Sequence, residues 1–450
     1  MSHYKPYPAY KDSGVEWLGK IPNDWQKFRI GIVFNERNQR GGEKTELLAV
    51  SQQYGVLPQT EFMEMTDRRL SMSMSEDWSN YKRVCKGDLV YNKMRLWQGA
   101  IGLSPHDGIV SPAYVVLQPQ IQLSGKFYEY LFKSPAFVTE AGRYSQGLCD
   151  DMNSCRFDDF KSAEVIMPPL QDQQEITRCL DRETTRIDAL ITKKTRFIEL
   201  LREKRQALIT QAVTKGLDPN VEMKDSGVEW LGQVPGHWEV VRVKHITPFI
   251  TSGPRGWSDF IDDNGNEIFL QSGELNDSLQ ILPHKAKRIS PPQGAEGNRT
   301  KLQENDIVIC ITGANTGRVA IVGELLATTY INQHLCLIRP DLTRMLSKFL
   351  GLLLSSEFGR TYFDVMQYGL KEGLSLSNIA DAPLAIPPIN EQVQICAYLD
   401  NETIRLDALI TKTQQSIDLL KERRSALITA AVTGQIDVRE DITDYGYAKR

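Results

Sequence analysis

The stretch Pro168–Asp218, PPLQDQQEITRCLDRETTRIDALITKKTRFIELLREKRQALITQAVTKGLD, returns as Pro387–Asp437, PPINEQVQICAYLDNETIRLDALITKTQQSIDLLKERRSALITAAVTGQID, 219 positions later and without a gap. Of the 51 aligned residues 28 are identical, including the opening Pro-Pro, Asp188–Lys193 with Asp407–Lys412, and Ala207–Thr210 with Ala426–Thr429. A period near 220 residues is far longer than the roughly 20 to 50 of solenoids and propellers. The chain is therefore two large copies of one module.

Each copy reads as a long helix, since Gln171–Thr214 contains neither Gly nor Pro. Leu180, Ile187, Leu201 and Leu208 recur at multiples of seven, and Ile191, Ile198, Arg205 and Ala212 form a second row. The later copy repeats both rows, with Leu399, Leu406, Leu420 and Leu427 beside Ile410, Ile417, Arg424 and Ala431. Such rows mark the seam of a coiled coil, and forty-odd residues at 1.5 Å each make a rod of roughly 65 Å. Neither helix can bury its stripe alone, so the expected partner of each is the other.

Outward from the helices, Lys11–Gly19 (KDSGVEWLG) with Pro22 and Trp25 recurs as Lys224–Gly232 with Pro235 and Trp238, matching at 11 of 15 positions. Gly14–Lys20 has the spacing of a phosphate loop. However, Ile21 stands where a Ser or Thr is required, and the copy has Gln233 in place of the lysine. The four tryptophans, Trp17, Trp25, Trp230 and Trp238, are read instead as packing at the module boundaries. Between these caps and the helices lie two divergent inserts, about residues 26–167 and 239–386, with strand-like runs and one helical stretch each. Gly87-Asp88-Leu-Val aligns with Asn305-Asp306-Ile-Val, so the inserts are expected to share a fold while differing on their surfaces.

The fold class expected is α+β: two globular mixed α/β domains joined by two long coiled-coil helices, with an internal repeat. The boundaries read from the repeats are 1–167 for the first cap and domain, 168–218 for the central helix, and 219–386 for the second cap and domain. The C-terminal helix is placed at 387–437 and a tail at 438–450. Seven scattered cysteines, a net charge of -4 and no long apolar run fit a reduced cytoplasmic protein that neither spans a membrane nor carries a secretory leader.

These residues resemble the specificity (S) subunit of type I DNA restriction-modification systems over essentially the whole chain. The tandem KDSGVEWLG caps and the Pro-Pro-x-x-x-Gln entries to both helices carry the resemblance. It implies two target-recognition domains, each reading half of a split double-stranded DNA site, with the helices as spacer and as docking surface for two methyltransferase (modification) subunits. That the helices lie antiparallel, making the repeat pseudo-two-fold, is implied by this resemblance rather than by the repeats themselves. Restriction (helicase-nuclease) subunits complete such complexes. S-adenosylmethionine, ATP and Mg are expected on those partners, with no cofactor and no metal in this chain. Leu190, Phe197, Leu200 and Leu409 widen the apolar stripe beyond what a two-helix seam needs, leaving surface for a partner.

The sequence shows no Asp/Asn-Pro-Pro-aromatic motif of amino methylation, no glycine-rich methyl-donor loop and no nuclease cluster. Gly313–Gly317 reads as a turn at a recognition surface. The chain is expected to be non-catalytic. Alternatives are a coiled-coil scaffold with two protein-binding domains, or a self-contained nuclease or methyltransferase. Lys and Arg number 17 against 17 Asp and Glu in the first insert, and 14 against 16 in the second, so DNA contact must rest on local clusters. The candidates are Lys82, Arg83, Lys86, Lys93 and Arg95 beside Trp97 in the first insert, and Lys285, Lys287, Arg288, Arg299, Lys301 and Arg318 in the second. Gln146, Asn315 and Gln333 are added as side chains able to pair with adenine, as arginine pairs with guanine.

Overall fold

The computed structural model describes residues 4–41, 46–52, 54–66, 78–145, 153–292, 294–367 and 373–439. Both predicted helices form, as Leu170–Lys215 and Ile389–Val432. The chain divides into two compact units, 1–194 with 415–450 and 195–414. The division falls inside both long helices, so each unit owns one segment of each.

In unit 1 the two segments run antiparallel. Asp188 pairs with Arg424 at 2.9 Å, while Asp172, sixteen residues earlier, meets Arg439 beyond the end of the second helix. Unit 2 repeats this: Arg205 pairs with Asp407 at 3.3 Å, and Gly216 lies against Trp238 and Glu391 near the start of the second helix. The two ion pairs are the same contact under the 219-residue offset, with donor and acceptor helices exchanged. Along the seam Leu180, Ile187, Ile198, Leu201, Leu399, Leu406, Ile417 and Leu427 are buried, while Ile191, Leu208, Ile410 and Leu420 are half-buried.

Each insert is built on a four-stranded antiparallel sheet. In unit 1 the strands are β1 (Phe34–Glu36), β2 (Leu89–Asn92), β3 (Ile101–Leu103) and β4 (Tyr114–Pro119), in the order β1-β4-β2-β3. In unit 2 they are β5 (Phe249–Ser252), β6 (Ile307–Cys310), β7 (Val319–Ile321) and β8 (Leu335–Arg339), in the order β5-β8-β6-β7. The register agrees as well: Leu89 faces Leu117 as Ile307 faces Ile338. Two helices follow in each, Gly125–Lys133 with Pro135–Arg143 and Ser347–Ser355 with Glu357–Met366, joined by Ser134 and Ser356, whose hydroxyls cap the second helix of each pair. Phe34, Phe127, Phe132, Phe137 and Phe160 fill the core of unit 1 together with Leu180 and Leu427.

One buried acid is retained in both sheets, but its partner comes from a different strand. Asp88 accepts from Arg37 Nε at 2.8 Å and Nη2 at 3.1 Å, and from the Cys85 amide at 2.8 Å. Asp306 accepts from Arg339 Nε and Nη2, both at 2.7 Å, and from the Gln303 amide at 2.7 Å. Arg37 follows β1, whereas Arg339 ends β8. A carboxylate removed from water must be paired, and either neighbouring strand can deliver the guanidinium.

The caps confirm the packing reading in most respects. Ser13 N–H donates to Gly19 and Ser226 N–H to Gly232, both at 3.0 Å, so KDSGVEWLG closes the same turn twice. Trp25 and Trp238 are fully buried, with their indole N–H groups bonded to Asp172 and Glu391. Trp17 packs edge-on against Phe137. Trp230 is the exception, 38% exposed beside Tyr362. Among the described residues no helix is long and apolar enough to cross a membrane.

Candidate nucleic-acid interface

Three chain segments meet at the same end of each sheet and share several backbone bonds, although the Gly99 N–H donates to Leu96 whereas the Gly317 N–H donates to Cys310. The β2–β3 connection, Lys93–Ala100, has the same length as the β6–β7 connection, Ile311–Arg318. Asn92 N–H donates to Ala100 at 3.0 Å as Cys310 N–H donates to Arg318 at 2.8 Å, and the Gln98-to-Arg95 bond recurs as Thr316 to Gly313. Gly99 and Gly317 occupy equivalent left-handed positions, φ 79° and 84°, which L side chains rarely adopt. The second segment is the turn before β4 or β8. Lys93 N–H donates to Ala113, and Ile311 N–H to His334. The third arrives from far along the chain, with Cys155 N–H on the Lys93 carbonyl and Leu374 N–H on that of Ile311.

On this shared frame the side chains differ. In unit 1, Lys93 reaches the Pro112 carbonyl at 2.6 Å, and Met94, Arg95 and Gln98 are exposed. Burial, followed by the nearby positive charge of Lys82, lowers the Lys93 pKa; Glu36 opposes this, and Arg156 adds to it. Lys82 is held by Glu36 at 2.7 Å. Trp97 donates to the Met94 carbonyl at 3.0 Å and so stiffens the hairpin. Arg83 is exposed on the strand Lys82–Val84. Lys86 is exposed at the other end of β2, where its amide bonds Asp107. Gln146 lies outside the described residues. Sequence reasoning missed Arg156, which joins the Lys82–Lys93 cluster only because the third segment folds back onto Lys93.

In unit 2 the candidates form two groups. Asn315 donates to the Ser272 carbonyl at 3.2 Å, and Arg318 donates to the Leu275 carbonyl at 3.1 Å while pairing with Asp277 at 3.2 Å. Both therefore brace the hairpin against 272–277. Gln333 and His334 are exposed on the adjoining turn, 3.2 Å apart through Nε2 and Nε2, and His334 Nδ1 lies 2.5 Å from the Thr312 hydroxyl. The second group flanks a separate sheet formed by Glu267–Leu270, Lys287–Ile289 and Thr329–Ile331. Lys285, Lys287, Arg288, Arg299 and Lys301 are exposed there. Arg288 bonds the Gly265 carbonyl and Arg299 the Thr251 hydroxyl.

Comparison with known proteins agrees with this arrangement. The family model for the type I restriction modification DNA specificity domain matches residues 235–419. The type I restriction enzyme MjaVIII specificity subunit of Methanocaldococcus jannaschii is 19% identical over 93% of this chain and 95% of its own length. The chain is thus similar, in its matched segment and over most of its length, to the specificity subunits of type I restriction-modification systems. The EcoBI specificity subunit of Escherichia coli is 23% identical over 60% of this chain and 58% of its own. Among solved structures, a chain from the assembly and conformational transition of the type I R-M system superposes with a TM-score of 0.70 at 16% identity, covering 92% of this chain and 98% of that one. The HsdS subunit of Thermoanaerobacter tengcongensis gives 0.54 at 18% identity with the same coverage.

Proposed function

We propose that each unit reads one half of a bipartite double-stranded DNA site and that the helices space the halves and dock two methyltransferase subunits. The observation that carries this is the duplicated end of the sheet, where one backbone frame presents two unrelated sets of side chains. An architecture kept constant under variable surfaces suits the reading of two different sequences. Phosphate contacts would come from the flanking cations, and base contacts from the loop tips.

The docking reading rests on apolar side chains left in water. Leu190 and Leu419 are 40% and 64% exposed in unit 1, and their equivalents Leu409 and Leu200 are 40% and 46% exposed in unit 2. Phe197 adds to the second face. Two matching faces fit two copies of one partner. Methylation and cleavage would then be the work of the partners, with S-adenosylmethionine, ATP and Mg bound by them.

The test is methylation mapping. The chain assembled with methyltransferase subunits and S-adenosylmethionine should modify adenine in both halves of one bipartite motif, and the chain alone should neither methylate nor cleave. Robust methylation by the isolated chain would refute the reading.

A further inference from the structure

We infer that the two units read DNA from different parts of their common frame, unit 1 from the β2–β3 hairpin through Arg95 and Gln98, unit 2 from the turn before β8 through Gln333 and His334. This rests on the DNA-recognition reading above and assigns its base-reading residues.

In unit 1 the hairpin is the only one of the two elements with polar reach. Arg95 and Gln98 are exposed at its tip, and among the described residues no side-chain hydrogen bond or ion pair holds either. The adjoining turn is Ser111-Pro112-Ala113, and the Pro112 carbonyl is already occupied by Lys93 Nζ. In unit 2 the roles are exchanged. The position of Arg95 is taken by Gly313, its neighbour is Ala314, and the longer Asn315 and Arg318 side chains are turned inward onto 272–277. The turn equivalent to Ser111–Ala113 is instead Asn332-Gln333-His334. Gln333 and His334 are exposed, and Thr312 fixes the His334 ring from behind. Equivalent positions thus alternate between long and short, so that one projecting group fills the recognition end in each unit.

The chemistry follows from the side chains. Arg95 can meet both acceptors of a guanine edge, and Gln98 and Gln333 can each pair with adenine through donor and acceptor together. His334 Nδ1 is engaged by Thr312 and its Nε2 by Gln333 at 3.2 Å, which orients the pair and leaves Gln333 its Oε1 and second N–H for a base edge.

The experiment uses the chain assembled with its methyltransferase subunits, mapping methylation and measuring binding by competition between cognate and mismatched duplexes. Arg95→Ala with Gln98→Ala should relax one half of the motif, lowering discrimination there by roughly 5- to 150-fold and leaving the other half intact. Gln333→Ala with His334→Ala should relax only the other half. These side chains are exposed, so thermal unfolding should be unchanged. Where methylation is lost outright, competition still reads the discrimination ratio. Equal weakening on all sequences would make these phosphate contacts and overturn the inference, as would an unchanged motif. If the unaltered complex neither binds nor modifies any DNA, the recognition reading falls first and this inference with it.

Discussion

Arg37→Thr isolates the value of the buried acid. Asp88 is 3% exposed and Arg37 16% at their side chains, so the pair is largely out of water. Its hydrogen bond to Asp88 raises the Arg37 pKa despite the opposing effect of burial. Removing the guanidinium leaves the Asp88 carboxylate with the Cys85 amide and no counter-charge. Losing one partner of a buried pair costs about 3–5 kcal/mol. For a unit of this size each kcal/mol moves the unfolding midpoint by about 2–4 °C, so a fall on the order of 10 °C is expected. Unit 2 supplies the repair: its arginine occupies the position of the exposed Gln118, and Thr251 occupies that of Arg37. Gln118→Arg alone should be nearly neutral. In the Arg37→Thr background it should restore more than half of the loss, by delivering a guanidinium from the strand that unit 2 uses. Thermal or urea unfolding of the four chains makes a double-mutant cycle. A double variant no more stable than Arg37→Thr, or a single loss under about 1 kcal/mol, would refute the claim that either strand can satisfy this acid.

Phe197→Asp with Leu200→Asp should leave folding within about 0.5 kcal/mol, since both side chains are exposed, yet remove one of the two methyltransferase subunits that co-purify, the face at Leu190 and Leu419 being untouched. Leu201→Asp, whose side chain is buried, should instead destabilise the chain itself, which circular dichroism melting separates from docking. Inserting four residues after Thr192 adds about 6 Å of helix while nearly keeping phase, and should lengthen the preferred gap between half-sites by one or two base pairs at about 3.4 Å each. Methylation across a gap-length library checks this, and a two-residue insertion should abolish assembly. Burial pushes the Glu129 carboxyl up, but Lys133 and Lys126 outweigh it and hold its pKa below the ordinary 4.5. Glu129 therefore stabilises unit 1 above that value and loses its contribution as pH falls through the lower folded value, so Glu129→Gln should flatten the acid limb of a stability–pH curve.

The helices were legible because period and repetition are local properties of a sequence, and both survive divergence: the heptad rows and Pro-Pro entries could be read twice and checked against each other. The shared sheet was visible only through Asp88 and Asp306, because a buried charge constrains its own position tightly. Its partner was not visible, since Arg37 and Arg339 occupy non-equivalent places. The candidate site was less legible still. Asn315 and Arg318 have the right chemistry for base contact but are held by carbonyls and Asp277 in a segment some forty residues away, and nothing in their neighbourhood along the chain signals that. Arg156 was missed for the same reason, as it reaches the Lys93 cluster through a long-range backbone bond.

Under the proposed function, the contrast between the two kinds of position would let one module serve two sequences. Where a group is buried and charged, substitution must be compensated at once, and the compensation observed is the transfer of an arginine between adjacent strands. At the recognition end the backbone satisfies itself: the hairpin, the turn and the third segment are joined by main-chain bonds that require only a glycine at Gly99 and Gly317. The exposed tip side chains Arg95 and Gln98 make no hydrogen bond among the described residues, so they can change as long as the turn geometry is kept, whereas Trp97, Asn315 and Arg318 brace it. Specificity would thereby be separated from stability within each unit. This is the physical condition under which exchanging 26–167 for the corresponding segment of a relative would alter one half-site and spare the other.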